Sequence, residues 1–368
     1  MTLQVKDLAI ILLLLLLAAG CQTTEQYDSG PESVQVQGEK FQKTPAFIDV
    51  HNHLYIGRRG DLSEYLSAAS NALTKMEQLG ITKMILMPPP RSKDNRGTFV
   101  MDDLLPVIKK YPGSFYLLGG GGSLNLIIQG ATVGENGKVS SSVQNRFKRK
   151  ALEILEKGAI GFGEFAVEHF SFNSDHPYES VAADHPLFLI LADIAAEHGV
   201  PIDIHMEAIP ERMPLPTRKV LNRSGRNPEI LQENIYSFER LLAHNRAAKI
   251  IWAHAGWCNT GARTVELCRR LLQKHPNLYM SFKLSPESVP ENRPIGMEKN
   301  SIKPEWLALI REFPDRFMIG TDQFYGPPGE RGIGPQKTEA TRRFVSLLPE
   351  DLAVKVGLDN PQRIFGLE

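Results

Sequence analysis

Histidines and acidic residues stand where short apolar runs meet loops. The pair His51 and His53 is separated by one residue in the run AFIDVHNH. Side chains two apart on an extended strand point to the same side, so both imidazoles can reach one ion. Four further candidates at the ends of other runs are Glu164, His205, His254 and Asp322. Imidazole and carboxylate ligands together suit Zn²⁺, with Mn²⁺, Fe²⁺, Co²⁺ and Ni²⁺ as competitors, so these residues predict a divalent metal site.

The elements that would position these side chains are eight apolar or β-branched runs alternating with amphipathic, helix-like segments. Such an alternation predicts a parallel sheet, because each helix must carry the chain back to the start of the next strand. The pattern favours an α/β fold, a (β/α)8 TIM barrel, over a doubly wound open sheet. The predicted strands are Ala46–His51, Thr82–Met87, Phe115–Gly120, Ala159–Phe165, Pro201–His205, Lys249–His254, Leu278–Lys283 and Phe317–Asp322.

A barrel collects functional side chains at the carboxyl ends of its strands. The candidate ligands fall at that end of predicted strands one, four, five, six and eight. We expect Glu168 and His169, just after strand four, to lie in a surface loop, and His176 to have a structural role. Residues 123–142 predict an extended loop or a small hairpin.

The first 44 residues predict export rather than folding. Residues 1–20 contain the apolar run LAIILLLLLLAA, too short for a permanent membrane span, and read as a signal peptide. Small residues before Cys21 resemble a lipobox, which implies an acylated Cys21 and a lipid anchor on the periplasmic side of a bacterial envelope, with Gln22 favouring the outer membrane. Residues 21–44 are polar and predict a flexible tether, and residues 45–368 predict a single catalytic domain.

Global charge excludes one class of partner. The chain has 42 basic and 42 acidic residues, so no net field would attract nucleic acid. A small-molecule substrate is expected instead, and a homo-oligomer stays open. Cys258 and Cys268 are too few for a disulfide scaffold and predict buried free thiols, with one local bridge as the alternative.

The motifs IDVHNH, GFGEF, DIH, AHAG and IGTD, with the closing NPQRIFGL, resemble the amidohydrolase superfamily, and in particular its amidohydrolase-related branch. The resemblance covers the chain from about Phe47 to Leu367 and implies a distorted TIM barrel that binds one or two divalent metals. It matches His51 and His53 to the strand-one ligands, and His205, His254 and Asp322 to those of strands five, six and eight.

Strand four departs from the best-known binuclear members, which have a carboxylated lysine where this chain has Glu164. A glutamate there resembles the TatD-like nucleases, in which it bridges two metals. If Glu164 does not bind metal, the resemblance implies a single ion held by His51, His53, His205 and Asp322, with His254 facing substrate or water.

The resemblance implies hydrolysis by metal-activated water, with Asp322 as the proton acceptor and His254 as a ligand or an oxyanion stabiliser. The bond would be an amide, lactone or ester in a small anionic molecule. Candidate substrate-binding residues are Arg91, Arg218 in a basic loop after strand five, and Lys283 at the end of strand seven. The alternatives are a nonoxidative decarboxylase on the same scaffold and a lipoprotein that only binds a ligand.

Overall fold

The computed structural model describes residues 45–55, 62–91, 100–173, 176–285, 288–296, 301–329 and 337–368. The predicted signal peptide, Cys21 and the tether to residue 44 lie outside this part of the chain. The described residues belong to one compact unit. Within them, no helix is both long enough and apolar enough to cross a membrane.

A parallel sheet forms the centre of the molecule, and a few short antiparallel strands lie in the segments that connect its strands and helices. Strand three of the predicted set consists of two pieces, β3 and β4, and strand eight of two pieces, β12 and β13. The strands in chain order are β1 (Phe47–Leu54), β2 (Ile81–Leu86), β3 (Phe115–Leu117), β4 (Gly119–Gly120), β5 (Phe162–His169), β6 (Glu179–Ser180), β7 (Pro201–Met206), β8 (Met213–Pro214), β9 (Ile230–Leu231), β10 (Lys249–Ala255), β11 (Leu278–Phe282), β12 (Phe317–Ile319) and β13 (Gln323–Tyr325).

The sheet closes on itself through Leu118, the residue between β3 and β4. Hydrogen-bonded neighbours run in the order β3-β2-β1-β12-β11-β10-β7-β5-β4. The Leu118 N–H donates to the Leu86 carbonyl at 2.9 Å, whereas the Gly119 N–H donates to the Gly161 carbonyl at 3.1 Å. The short segment from β3 to β4 therefore bonds to β2 on one side and to β5 on the other, and the predicted TIM barrel is confirmed.

Helices cover the outer surface of the barrel because each has one apolar face. In the first helix the buried positions Tyr65, Ala68, Ala69, Ala72 and Met76 recur at a helical spacing. The helices are α1 (Leu62–Leu79), α2 (Leu105–Lys110), α3 (Leu124–Gly130), α4 (Ser141–Glu156), α5 (Pro186–His198), α6 (Ile235–His244), α7 (Val265–Lys274), α8 (Pro304–Glu312), α9 (Thr338–Leu347), α10 (Glu350–Val354) and α11 (Asn360–Phe365).

Two local predictions change in the structure, and a third is confirmed. The segment expected to be a loop or hairpin contains α3, whose Leu124 and Ile128 join the hydrophobic core. Strand β5 continues to His169, so Glu164 lies inside a strand rather than at its end. Cys258 and Cys268 are buried and unbridged, which confirms the prediction of free thiols.

Candidate metal centre

The two histidines of β1 are completely buried and point into the barrel. His53 Nδ1 lies 2.8 Å from the Met87 carbonyl oxygen of the neighbouring strand's end. The Nε2 atoms of His51 and His53 lie 3.5 and 3.4 Å from Glu164 Oε2. They lie 3.9 and 3.3 Å from Asp322 Oδ1. Both outer nitrogens therefore face one common space between two carboxylates.

The two carboxylate oxygens of Glu164 face two different pairs of histidines. Its Oε2 faces His51 and His53, as described above, while Oε1 lies 2.9 Å from His205 Nδ1 and 3.3 Å from His254 Nε2. Burial raises the pKa of Glu164, but the charge of His51 and the hydrogen bonds of His205 and His254 outweigh it and hold this pKa well below its usual range. A carboxylate with one oxygen toward each pair has the arrangement that a bridging ligand needs.

The buried nitrogens of this cluster fit a divalent metal. One ligand atom from each of His51, Glu164 and His254 lies within 4.8 Å of the others, and the same holds for His51, His53 and Asp322. His51 Nε2 and His53 Nε2 are buried without a hydrogen-bond partner. Since an unpaired buried polar atom is costly, an ion that accepts these lone pairs would satisfy the cluster.

A left-handed backbone conformation orients two of the six candidate ligands. His254 has φ 68° and Asp322 has φ 54°, the two non-glycine residues with positive φ in the described part of the chain. Each left-handed residue turns the chain sharply, and such conformations concentrate at functional sites because the surroundings must hold them. The Asp322 N–H donates to the His51 carbonyl at 2.8 Å, which fixes the turn next to the first histidine pair.

Two lysines hold the outer oxygen of Asp322. Lys283 Nζ contacts Oδ2 and also lies 3.7 Å from the centre of the Trp257 ring. Lys337 Nζ lies 3.1 Å from Oδ2 and donates to the Asp322 carbonyl oxygen at 2.5 Å. Burial raises the pKa of Asp322, but the charges of Lys283 and Lys337 outweigh it and hold the pKa well below its usual range. Asp322 is thus an ionised group with one oxygen toward the histidines and one toward the lysines.

Of the three predicted substrate-binding residues, Lys283 is the one found against a candidate ligand. Arg218 Nη1 instead donates to Asn259 Oδ1 at 2.7 Å, and the Asn259 N–H donates to Glu207 Oε2 at 2.7 Å. This chain of contacts ties the loop after β7 to the loop after β10. The backbone N–H of Arg91 donates to the Gly121 carbonyl at 3.0 Å, which packs the loop after β2 against the loop after β4.

Two buried aspartates support the cluster and were missed from the sequence. Asp203 Oδ1 lies 3.2 Å from His51 Nδ1. Asp49 accepts hydrogen bonds from the Thr321 N–H at 2.9 Å and from its hydroxyl at 2.7 Å, next to Asp322 in the chain, and burial raises the pKa of Asp49 to about 6. Their one sequence signal was position: each stands two residues before a candidate histidine, on the same face of its strand. Lys337 had no such signal, because it stands 15 residues after Asp322 in the sequence.

The surface-loop prediction for Glu168 and His169 is wrong because β5 ends four residues later than predicted, at His169. The His169 ring centre lies 4.3 Å from that of His205 and 4.6 Å from that of His176. Burial and the charge of His205 lower the pKa of His169 well below its usual range, and the same two causes lower that of His176 to about 4. Both rings are therefore neutral at pH 7 and form an imidazole wall beside His205.

The buried Glu168 carboxylate is bound by hydroxyl groups rather than by the histidines. It is 4% exposed and accepts hydrogen bonds from the Tyr178 hydroxyl at 2.6 Å and the Ser180 hydroxyl at 2.8 Å. Burial raises the pKa of Glu168 to about 7 even though both hydroxyls lower it. In the unfolded chain the same carboxyl has the ordinary glutamate pKa. At a pH between the two pKa values, the folded protein therefore keeps a proton on Glu168 that the unfolded chain has released.

We predict that the Glu168→Gln variant becomes more stable relative to wild type as the pH rises. In wild type, the free energy of unfolding falls as the pH rises from the ordinary glutamate pKa to about 7, because the buried Glu168 keeps a proton that the unfolded chain has already released. The variant should gain about 2–3 kcal/mol in free energy of unfolding relative to wild type between pH 5 and pH 8. Urea unfolding at the two pH values measures this difference. A difference that does not change with pH would show that Glu168 ionises normally in the folded protein.

Comparison with known proteins places the chain in a family. The amidohydrolase family profile matches residues 146–367, a range that contains Glu164, His205, His254 and Asp322 but begins after the β1 histidines. No curated protein matches the sequence.

Solved structures resemble the whole barrel at low sequence identity. IDCase from Metarhizium anisopliae in apo form is 12% identical with a TM-score of 0.50, covering 88% of this chain and 97% of its own. A triple mutant of organophosphorus hydrolase from Deinococcus radiodurans is 15% identical with a TM-score of 0.48, covering 86% and 93%. Dihydroorotase from Campylobacter jejuni is 15% identical with a TM-score of 0.45, covering 88% and 83%.

At these identities the structural likeness shows the fold alone. The family profile, in contrast, spans more than half of the chain and includes four of the six residues gathered at the barrel's centre. Members of this family are typically enzymes that bind divalent metals, and the clustered histidines and carboxylates fit that property. The chain belongs to the amidohydrolase family.

Proposed function

We propose that this protein is a metal-dependent hydrolase that cleaves an amide, lactone or ester bond in a small anionic molecule. The observation that carries the proposal is the Glu164 carboxylate, which has one oxygen toward each of two buried histidine pairs. Such an arrangement is suited to two ions that share one ligand.

In this proposal, His51, His53 and Asp322 would hold one ion together with Glu164. His205 and His254 would hold a second ion, also with Glu164. Nitrogen and oxygen donors in this mixture suit Zn²⁺, and Mn²⁺, Fe²⁺, Co²⁺ and Ni²⁺ accept the same ligands. A bound divalent ion would supply Lewis-acid polarisation of the substrate and lower the pKa of a water molecule toward neutrality.

The chain itself supplies the proton acceptor, which we assign to Asp322 Oδ2. This oxygen is held by Lys283 and Lys337, so it becomes available only when one ammonium group moves away. Lys283 already has a second partner in the Trp257 ring and can turn toward an anionic group on the substrate. Substrate binding by Lys283 and the release of Asp322 Oδ2 would then be the same movement.

Charge balance supports an anionic substrate. With Glu164, Asp322, Asp203 and Asp49 all ionised, Lys283 and Lys337 leave the buried site with two net negative charges. One divalent ion would bring the site to neutrality, and the two proposed ions would make it net positive. In a site of low effective dielectric this positive excess would attract an anion.

The metal count tests the two-ion arrangement. We predict two ions per wild-type chain by elemental analysis of the full chain purified in detergent, and one in Glu164→Ala, because the shared ligand is gone. The control Glu153→Ala removes an exposed glutamate of α4 and should retain two ions. One ion in wild type that Glu164→Ala leaves in place would contradict a bridging role.

Turnover tests the assignment of Asp322. With a panel of carboxylate-bearing amides, lactones and esters, Asp322→Asn should lower kcat by roughly 10²–10⁴-fold, the usual contribution of a proton-transfer group. Asp315→Asn, a change at an exposed residue, is the matched control. A variant with nearly normal kcat would exclude Asp322 as the proton acceptor. Release of CO₂ without hydrolysis would instead identify the decarboxylase alternative.

We also propose that the protein is anchored through an acylated Cys21 on the periplasmic side of a bacterial envelope, the outer membrane being favoured by Gln22. This rests on the sequence AAGC and the polar residues that follow. Cys21→Ser should move the protein from the membrane pellet to the soluble envelope fraction, because no lipid would be attached. Continued pelleting would point to an uncleaved apolar segment as the anchor.

A further inference from the structure

The two β1 histidines differ in what faces the nitrogen that points away from the candidate metal. His53 Nδ1 lies against a neutral group, the Met87 carbonyl oxygen, at 2.8 Å. His51 Nδ1 lies against a carboxylate, Asp203 Oδ1, at 3.2 Å. His51 and Asp203 are both completely buried. Two ligands on one strand thus have partners of different charge.

Asp203 has no other evident reason to be buried. Apart from its 3.2 Å contact with His51 Nδ1, the Asp203 carboxylate has no hydrogen-bond partner among the described residues. A carboxylate without hydrogen bonds in a protein interior is costly, and hydrophobic residues such as Ile202 and Ile204 flank it on the same strand. An apolar side chain at position 203 would pack at lower cost if packing were the only requirement.

Two glycines leave the space that the pair occupies. A Cβ atom at Gly163 would lie 2.8 Å from Asp203 Cβ, and one at Gly320 would lie 2.9 Å from His51 Cβ. Both distances are too short for a real side chain, so larger residues would displace Asp203 or His51. The absence of side chains at Gly163 and Gly320 therefore leaves room for the His51 imidazole and the Asp203 carboxylate to stay in contact.

We propose that Asp203 is a positioning residue that accepts the Nδ1 proton of His51 and so directs the Nε2 lone pair to the metal. A carboxylate behind a ligating imidazole fixes its tautomer and ring orientation and makes the ring a stronger donor. His51 is the histidine that lies near both groups of candidate ligands, so its orientation affects either ion. This inference rests on the proposed metal centre.

The test compares zinc affinity in wild type and Asp203→Asn, using the full chain in detergent and competition with a chelator. Asparagine keeps the size of the side chain but removes its charge. The dissociation constant for Zn²⁺ should rise about ten- to hundredfold, the usual effect of losing such a partner. Glu207→Gln is the matched control, since it neutralises another buried carboxylate just after β7 that binds Asn259 rather than a histidine. The control should change zinc affinity less than twofold.

A spectroscopic measurement separates positioning from general loosening of the site. In the zinc-loaded protein, the Nδ1 proton of His51, identified by its loss in His51→Ala, should resonate far downfield because it faces a carboxylate. Asp203→Asn should move this resonance upfield while that of His53 stays in place. Thermal unfolding of each metal-free variant shows whether the fold is retained.

Every outcome decides the proposal. Unchanged zinc affinity in folded Asp203→Asn, or equal losses in Asp203→Asn and Glu207→Gln, would overturn it and leave the metal centre standing. Wild type that binds no zinc would overturn the metal centre itself. If Asp203→Asn does not fold, Asp203→Ser is measured in the same way. If neither variant folds, Asp203 is structural and the proposal fails.

Discussion

The buried carboxylate of Glu164 is the group on which the rest of the centre depends. Removing a carboxylate from water costs several kcal/mol unless charged or hydrogen-bonding partners replace the solvent. Here four imidazoles from three other strands surround it, and they hold its pKa well below the usual range despite burial. The same arrangement suits metal binding, because the imidazoles around this carboxylate also surround the space that a cation would fill.

A closed barrel is what brings these partners together. The ligands come from β1, β5, β7 and β10 and from the turn between β12 and β13. In an open sheet with this strand order, β12, β11, β10 and β7 would lie between β1 and β5 and hold their ligands far apart. Closure through Leu118 makes the strands a ring, and their carboxyl ends then face one common centre. The positive φ angles of His254 and Asp322 complete the approach.

Around this centre the protein balances charge in layers. Glu164 and Asp322 face the histidines, Asp203 lies behind His51, and Lys283 and Lys337 bind the outer oxygen of Asp322. Each of these charged groups has a partner of opposite or complementary charge, which matters because an unpaired buried charge is strongly destabilising.

Several features were determined by the sequence alone. Alternating strand and helix patterns predicted the barrel, and the positions of His51, His53, Glu164, His205, His254 and Asp322 predicted which side chains would meet. Both predictions depend on local periodicity, because side-chain direction along a strand repeats every two residues. The bounds of β5 did not follow, since strand ends depend on tertiary pairing: β6 pairs with the last residues of β5.

Tertiary structure decided the partners that lie far apart in the chain. Asp203 reaches His51 across the closed barrel, and Lys337 returns to Asp322 from the start of α9. His169 packs on His205 because β5 pairs with β7. None of these contacts has a sequence period, and a buried aspartate or lysine reads as a surface charge until its partner is known. The sequence therefore determined the kind of centre, whereas the folded barrel decided how its charges are balanced, because that balance depends on distances between strands rather than on order along one.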